Sequence, residues 1–506
     1  MSDESVRSAL RSNAALVVIE APAGCGKTFQ GSVYAREAAE ELPVGRPLVL
    51  THTHAACSVF SKGTKGSSRR VEIRTIDSVI GSIAAAYHSG LGLPADVAAW
   101  IRSRKDGHAE VATKVARIIE HHPMIASSLA RRYPVVICDE HQDSSADQHA
   151  VVMSLLAQGA RVRIFADPMQ KIFRDKGAGS ISRPWDWETL KGQAQSFEEL
   201  DVPHRWSKGC PELGAWTLTA RASLKAGGKI NLHGPLPPSV VVLEADNLAQ
   251  RALDYRLSGA HRKVVETFEK DETSILILTR HNQTAHGLRS FFYRRILLWE
   301  GHTRSALEKL VSAISAGIGK PGALASAVTT FLSEIGIGFS PSGFANLFEQ
   351  EAQDGCNRPR KGKSATIQEL ARLLVMEPDH RGVAKMLQRL SELRTTDVAF
   401  SEVKIDCQKE FWEAIRLAQF DTADAGLAEI THHRSYSHPQ PPARAISTVH
   451  KAKGLECHAV IVMPCDGKTF PDKPDARCLL YVALSRAMSR LLIVVSRTNP
   501  SPLVNF

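Results

Sequence analysis

The chain has 506 residues, 43% hydrophobic and 23% charged, which excludes a disordered or fibrous polypeptide and leaves room for two to four domains. No apolar run is long enough to span a bilayer, and Met1 to Arg11 is polar without a signal-type hydrophobic segment, so a cytoplasmic chain with no membrane partner is expected. Nine cysteines occur without a C-x-x-C pair, which indicates neither a disulfide framework nor a zinc site, and the net charge of +10 modestly favours a polyanionic partner.

The β-branched run Leu16 to Ile19 predicts a buried strand that empties into Ala21-Pro22-Ala23-Gly24-Cys25-Gly26-Lys27-Thr28, followed by a helical pattern to about Leu42. Strand, small-residue loop, Gly-Lys-Thr and helix together make a phosphate cradle, because backbone N–H groups and a helix N-terminus converge on the anion. Lys27 would reach the β- and γ-phosphates of a nucleoside triphosphate such as ATP, and Thr28 would hold Mg²⁺. Ala21 stands where the simplest form of this pattern has its first glycine. Cys25 is expected as buried packing, as is Cys138 further on.

Pro47 to Thr51 reads as a second strand, followed by a loop with Lys62, Lys65, Arg69 and Arg70. Val71 to Thr75 reads as a third strand, Ile76 to Tyr87 as a helix, and residues 88–130 as helical. Pro134 to Cys138 is a buried strand by its apolar run and delivers Asp139 and Glu140 at its carboxyl end. Helix follows through Ala157, then a strand from Arg161 to Ala166, ending at Asp167. Strands alternating with helices predict an α/β fold with a parallel sheet and a site at the strands' carboxyl edge. Asp139 there could hold a metal and Glu140 could orient an attacking water.

A second α/β pattern begins near Val240, includes Ser274 to Thr279, and resumes with Ala445 to Thr448, His458 to Met463 and Leu491 to Val495. Roughly 290 to 440, between them, is mainly helical in pattern, with Gly355 to Lys363 as an exposed basic loop.

Taken together, these motifs resemble those of superfamily 1 helicases of the UvrD/Rep type. Ala21 to Thr28 looks like their motif I, Thr51-His52-Thr53-His54-Ala55-Ala56 like motif Ia, and Thr75-Ile76-Asp77-Ser78 like the next DNA-contacting motif. Asp139-Glu140-His141-Gln142-Asp143 is similar to motif II, and Ala166 to Phe173 to motif III. Pro203-His204-Arg205 resembles the core of motif IV, Thr448 to Glu456 motif V, and Tyr481 to Ala487 motif VI.

The resemblance implies two RecA-like P-loop NTPase domains with mainly helical insertions. The first would cover 1–84 and 131–205 with a small insertion at 85–130; the second, 206–290 and 440–506 with a helical insertion at 291–439. It implies that Lys27, Thr28 and Asp139 hold Mg²⁺·ATP, that Glu140 is the general base, and that Gln170 senses the γ-phosphate. Arg205 and Arg486 would be arginine fingers, and Glu456 would contact the nucleotide sugar or the P-loop. His52, Thr53, Thr75, Thr448, His450 and Lys453 would lie near nucleic acid.

The departures are specific. The family's upstream adenine-reading glutamine is missing, since no glutamine precedes Gln30, and His204 stands for its stacking tyrosine. Asp175 occupies the place of a base-stacking tryptophan, His52 that of a phenylalanine, and Trp185 and Trp187 are expected as core or interface aromatics.

The function implied is a 3′→5′ translocase or helicase on single-stranded DNA or tailed duplex, in repair, recombination or anti-phage defence. The compact size resembles the helicase-like subunit of Gabija-type systems, which would bring a partner nuclease. The alternative is a nucleotide-gated, nucleic-acid-binding sensor that regulates a nuclease with little unwinding of its own.

Overall fold

A computed structural model describes residues 2–66, 70–104, 106–173, 184–245, 249–251, 254–300, 304–436 and 441–506. The chain divides into two units. One comprises 1–101, 106–292 and 443–506, and the other comprises 102–105 and 293–442.

The first unit contains two large parallel sheets. In the first, β1 (Leu16–Glu20), β2 (Pro47–Thr51), β3 (Glu72–Thr75), β4 (Val135–Cys138), β5 (Arg161–Ala166) and β6 (Ser196–Glu199) lie in the order β3-β2-β4-β5-β1-β6. The pairings are parallel, and their register brings Glu20 beside Ala166 and Thr51 beside Thr75, so the strands end at one edge.

Alternation along the strands divides their side chains between two cores. Leu16, Val18, Leu48, Leu50, Val136, Val162 and Ile164 pack on one face with Val111, Val115 and Ile119 of helix Gly107–His121. Val17, Ile19, Val49, Val135, Ile137 and Phe165 pack on the other with α1 (Ser2–Arg11) and α2 (Lys27–Glu41). The helices Gly107–His121 and Pro123–Arg132 thus share the first sheet's core.

Arg163 points into that second face and is fully buried. Its guanidinium donates to the carbonyls of Leu10, Ser12 and Ala14 at 2.8–2.9 Å, which closes the carboxyl end of α1.

In the second sheet, Arg444–Thr448, Ile275–Thr279, Cys457–Cys465, Ala487–Ser496 and Val240–Ala245 lie side by side in that order, all parallel. Continuous apolar runs build both sheets because strands covered on two faces have no solvent side to make polar.

The second unit is mainly helical around its own core, with Leu307, Leu324, Leu332, Phe348, Leu370, Leu387 and Phe411 near its centre. Two buried glutamates cap helices within it. Glu300 accepts from the N–H groups of Lys409 and Glu410, and Glu410 accepts from that of Leu307. The basic stretch 355–363 links helices Asn346–Asp354 and Lys363–Met376, with Gly355 in the left-handed conformation at the turn. Among the described residues, no helix is long and apolar enough to cross a membrane.

Candidate nucleotide site and nucleic-acid interface

The P-loop leaves β1 at Ala21, whose N–H donates to Ala166 on β5 at 2.8 Å. Gly24 and Gly26 have φ of 76° and 81°, a region that costs any residue with a Cβ. Ala21 is not among the left-handed residues, so alanine is accommodated where the simplest pattern has glycine. Gly26 caps α2 without a side-chain hydrogen bond, so the helix N-terminus faces the loop with its own N–H groups.

A one-turn helix, His204–Trp206, lies against this loop. A Cβ on Gly24 would come within 2.7 Å of Trp206 and 2.8 Å of Arg205, and one on Gly26 within 3.1 Å of His204. The Arg205 N–H donates to the Gly24 carbonyl at 3.0 Å. From motif VI, the buried Tyr481 hydroxyl accepts from the Ala23 N–H at 2.9 Å. Close backbone approach therefore demands glycine at 24 as much as φ does.

The Lys27 ammonium is held in an ion pair by Glu140, with Asp139 at 3.6 Å. Burial alone would lower its pKa, but the two carboxylates overcome this and raise it. For Glu140, burial pushes upward and the Lys27 and Lys453 ammonium groups push further down, so its carboxyl titrates below the usual range. Asp139 goes the other way: burial dominates and its pKa is raised.

Glu140 adopts a left-handed φ of 53° and its other oxygen accepts from Gln142. A strained non-glycine residue at a strand's end is the kind of position a reacting group occupies. Asp139 Oδ1 is buried without a hydrogen-bond partner. An orphaned, buried carboxylate oxygen beside a lysine and a helix N-terminus fits a hard divalent cation carrying phosphate, so the residues present suit Mg²⁺. Thr28 follows Lys27 in the first turn of α2, where the same cation could be reached.

Motif III closes the floor. Gln170 is buried and its amide donates to Asp167 Oδ2 at 2.9 Å. Asp167 Oδ1 accepts from the Met169 N–H and from Arg221 at 2.8 Å. Arg221 also pairs with Glu20 at the end of β1, which Lys225 joins, and with Glu199 at 3.1 Å. Sequence reasoning missed this buried network, although one charged residue ending the apolar strand Leu16–Glu20 was its visible sign.

The two arginines rest on local acceptors. Arg205 pairs with Glu456 and donates to the Ser485 carbonyl at 2.8 Å. Arg486 is buried, donating to the carbonyls of Val482 at 2.9 Å and Leu455 at 3.2 Å and to Ser485 Oγ at 2.7 Å. Its pKa is pushed down to about 10 by burial and by neighbouring Arg205. The first sheet's strand ends thus meet Tyr481, Glu456 and Ser485 from the second sheet's segments.

Beside the P-loop, Gln30 is buried and donates to Asp3 at 3.4 Å, while His204 Nε2 lies 2.8 Å from the other Asp3 oxygen. A carboxylate on α1 therefore stands beside His204.

The residues expected near nucleic acid are placed unevenly. Thr53 and Thr75 spend their hydroxyls as N-caps, accepting from Ala56 at 3.1 Å and Ser78 at 3.2 Å. His52 is turned inward to Ser144 at 3.1 Å rather than outward as a stacking ring. Lys453 is committed to Asp143 at 2.6 and 2.8 Å and to the Gln170 carbonyl at 2.8 Å, so its ammonium is spent inside the protein. Thr448 is buried at the end of its strand. His450 is partly exposed, its ring 6.1 Å from that of Phe173, which is 47% exposed and carries Lys453 5.2 Å from its centroid. Phe173, the last residue of the stretch that resembles motif III, is a half-exposed aromatic with no role of its own assigned from the sequence.

Asp175 lies outside the described residues. Trp185 and Trp187 are packed aromatics, donating to the Ser144 carbonyl at 3.1 Å and to Glu20 at 3.2 Å. Cys25 and Cys138 are buried, and burial pushes both thiols up.

A family model for the UvrD-like helicase C-terminal domain matches residues 444–494, and one for an AAA domain matches residues 3–178. No curated protein matches the sequence.

Proposed function

We propose that this chain, whose family-model matches support a UvrD/Rep-type superfamily 1 helicase, hydrolyses ATP at the P-loop and uses the cycle to move 3′→5′ along single-stranded DNA. One observation carries the reading. Catalytic candidates of the first sheet (Lys27, Asp139, Glu140) and those of the second sheet's segments (Glu456, Arg486) are gathered around one P-loop, and Lys27, Glu140, Glu456 and Arg486 are held by bonds that a triphosphate could replace.

Mg²⁺·ATP, when bound, supplies the phosphoanhydride and the cation that polarises it. The chain does the rest. Lys27 would leave Glu140 for the phosphates, and Thr28 and the buried Asp139 oxygen would hold the cation. Glu140, released and strained in its turn, orients water and accepts its proton. Arg205 leaves Glu456, and Arg486 leaves its carbonyls, to meet charge developing on the transferred group. Gln170 and Lys453 relate that event to motif V, and exposed Phe173 with His450 offers the adjacent surface to a base. The Asp3–His204 pair stands in for an adenine reader, so base preference rests on a carboxylate–imidazole edge.

Lys27→Ala should abolish DNA-stimulated ATP hydrolysis, and wild-type protein should displace the strand of a 3′-tailed but not a 5′-tailed duplex. Surviving turnover in Lys27→Ala would sink the site assignment. Robust turnover with no displacement would favour the nucleotide-gated sensor. A nuclease that alters either activity on mixing would support a role in defence of the Gabija kind.

A further inference from the structure

The turn that carries Glu140 also anchors a set of polar side chains that phosphate chemistry does not use. His52, just past β2, has Nε2 3.1 Å from Ser144 Oγ, and that hydroxyl is 3.2 Å from His141 Nδ1. His141 Nε2 is in turn 2.9 Å from His149 Nδ1 on helix Ala146–Ala157. Trp185 covers the far end, its ring stacked on His149 at 4.7 Å and 13° while its N–H donates to the Ser144 carbonyl. The Lys171 ammonium lies 5.4 Å from the Trp185 ring centroid. His141 and Ser144 are 1% and 0% exposed.

Burying imidazoles and a hydroxyl costs more than burying apolar groups of the same shape unless their polar atoms are paired. A neutral imidazole offers one donor and one acceptor and a hydroxyl one donor and two acceptors, so Ser144 can donate to only one of His52 and His141. In one such arrangement His52 donates to Ser144, Ser144 to His141 and His141 to His149. Removing the Ser144 hydroxyl takes a partner from both His52 Nε2 and His141 Nδ1, so the set is joined through that one group. That set joins the corner between β2 and α3 (His54–Gly63) to the turn of Glu140 and to the helix behind it. His141 sits between Glu140, with its left-handed backbone, and Gln142, which bonds the Glu140 carboxylate.

We infer that His52, Ser144, His141 and His149 form a positioning relay that couples the corner after β2 to the aim of Glu140. Strand engagement at that corner thereby raises turnover and leaves nucleotide affinity unchanged. The relay rests on the reading of this chain as an NTPase stimulated by single-stranded nucleic acid.

The test is steady-state ATP hydrolysis across a titration of oligo(dT), using wild type, Ser144→Ala, Ser144→Thr and His149→Phe, the last keeping a ring on Trp185. Ser144→Ala and His149→Phe should hold basal kcat and the KM for ATP within about twofold while the stimulated kcat falls at least tenfold. Ser144→Thr, which restores the hydroxyl, should recover stimulation to within about threefold of wild type. Stimulation of Ser144→Ala equal to wild type would overturn the relay alone. So would an equal loss of basal rate and melting temperature in the Ala and Thr variants, since that is a folding defect. A wild-type chain that oligo(dT) fails to stimulate would overturn the underlying reading, and the relay with it.

Discussion

Lys453 separates two accounts of motif V, one in which it contacts nucleic acid and one in which it ties the protein together. Its ammonium bonds both oxygens of Asp143 and the Gln170 carbonyl, and the two charged side chains are only 12% and 14% exposed. Replacing Lys453 with methionine keeps the stem and leaves Asp143 buried without its cation. Breaking a buried pair by removing one partner costs about 3–5 kcal/mol, and protonation of Asp143, whose pKa burial already raises, limits the loss to about 3. For a unit of about 350 residues that is a fall of roughly 4 °C in melting temperature. The double variant Asp143→Asn/Lys453→Met removes both charges and should recover most of that loss. Differential scanning fluorimetry of the two single variants and the double reads the cycle. A melting temperature for Lys453→Met within about 2 °C of wild type, with oligo(dT) binding weakened tenfold, would refute the ion-pair account and return Lys453 to the nucleic-acid backbone.

Gly24→Ala should lose nucleotide binding, because its Cβ would meet Trp206 at 2.7 Å and its φ is left-handed, whereas Ala21→Gly should bind as wild type; fluorescent-nucleotide titration checks both. Arg163→Met should expose the carboxyl end of α1, read as faster hydrogen exchange in residues 2–11 and a destabilisation of about 3 kcal/mol. Burial lowers the pKa of His149 to about 4 from 6.5 and that of His52 and His141 below their usual value. The unfolded chain therefore takes up protons first on acidification, so stability present above pH 6.5 is lost toward pH 4, with up to about 3 kcal/mol from His149 alone. A melting temperature that stays level between pH 7 and 5 would contradict this.

What was legible in the sequence was what local chemistry writes there. The runs Leu16 to Ile19 and Pro134 to Cys138 read as buried strands because both faces are covered, and Gly24-Cys25-Gly26-Lys27 reads as a cradle because its geometry is closed within eight residues. The partners of buried charges were not legible. Arg163 lies in a strand beside apolar neighbours, and only the fold brings the end of α1 to it. Glu20, Asp167 and Arg221 are remote in sequence and meet through three separate elements. Thr53 and Thr75 carried an ambiguous signal, since a threonine before a helix is both a phosphate-facing group and an N-cap, and here the hydroxyl caps. His52 and Lys453 were read by position in a motif, while their partners Ser144 and Asp143 decide which way they face.

The central claim is that the second sheet completes a phosphoryl-transfer site on the first. It is tested most directly by single-turnover ATP hydrolysis by Arg486→Lys, which keeps the charge and loses the planar guanidinium, with nucleotide binding measured on the same protein. The account predicts binding within a fewfold of wild type and hydrolysis slowed about a hundredfold or more. Hydrolysis at the wild-type rate would contradict it.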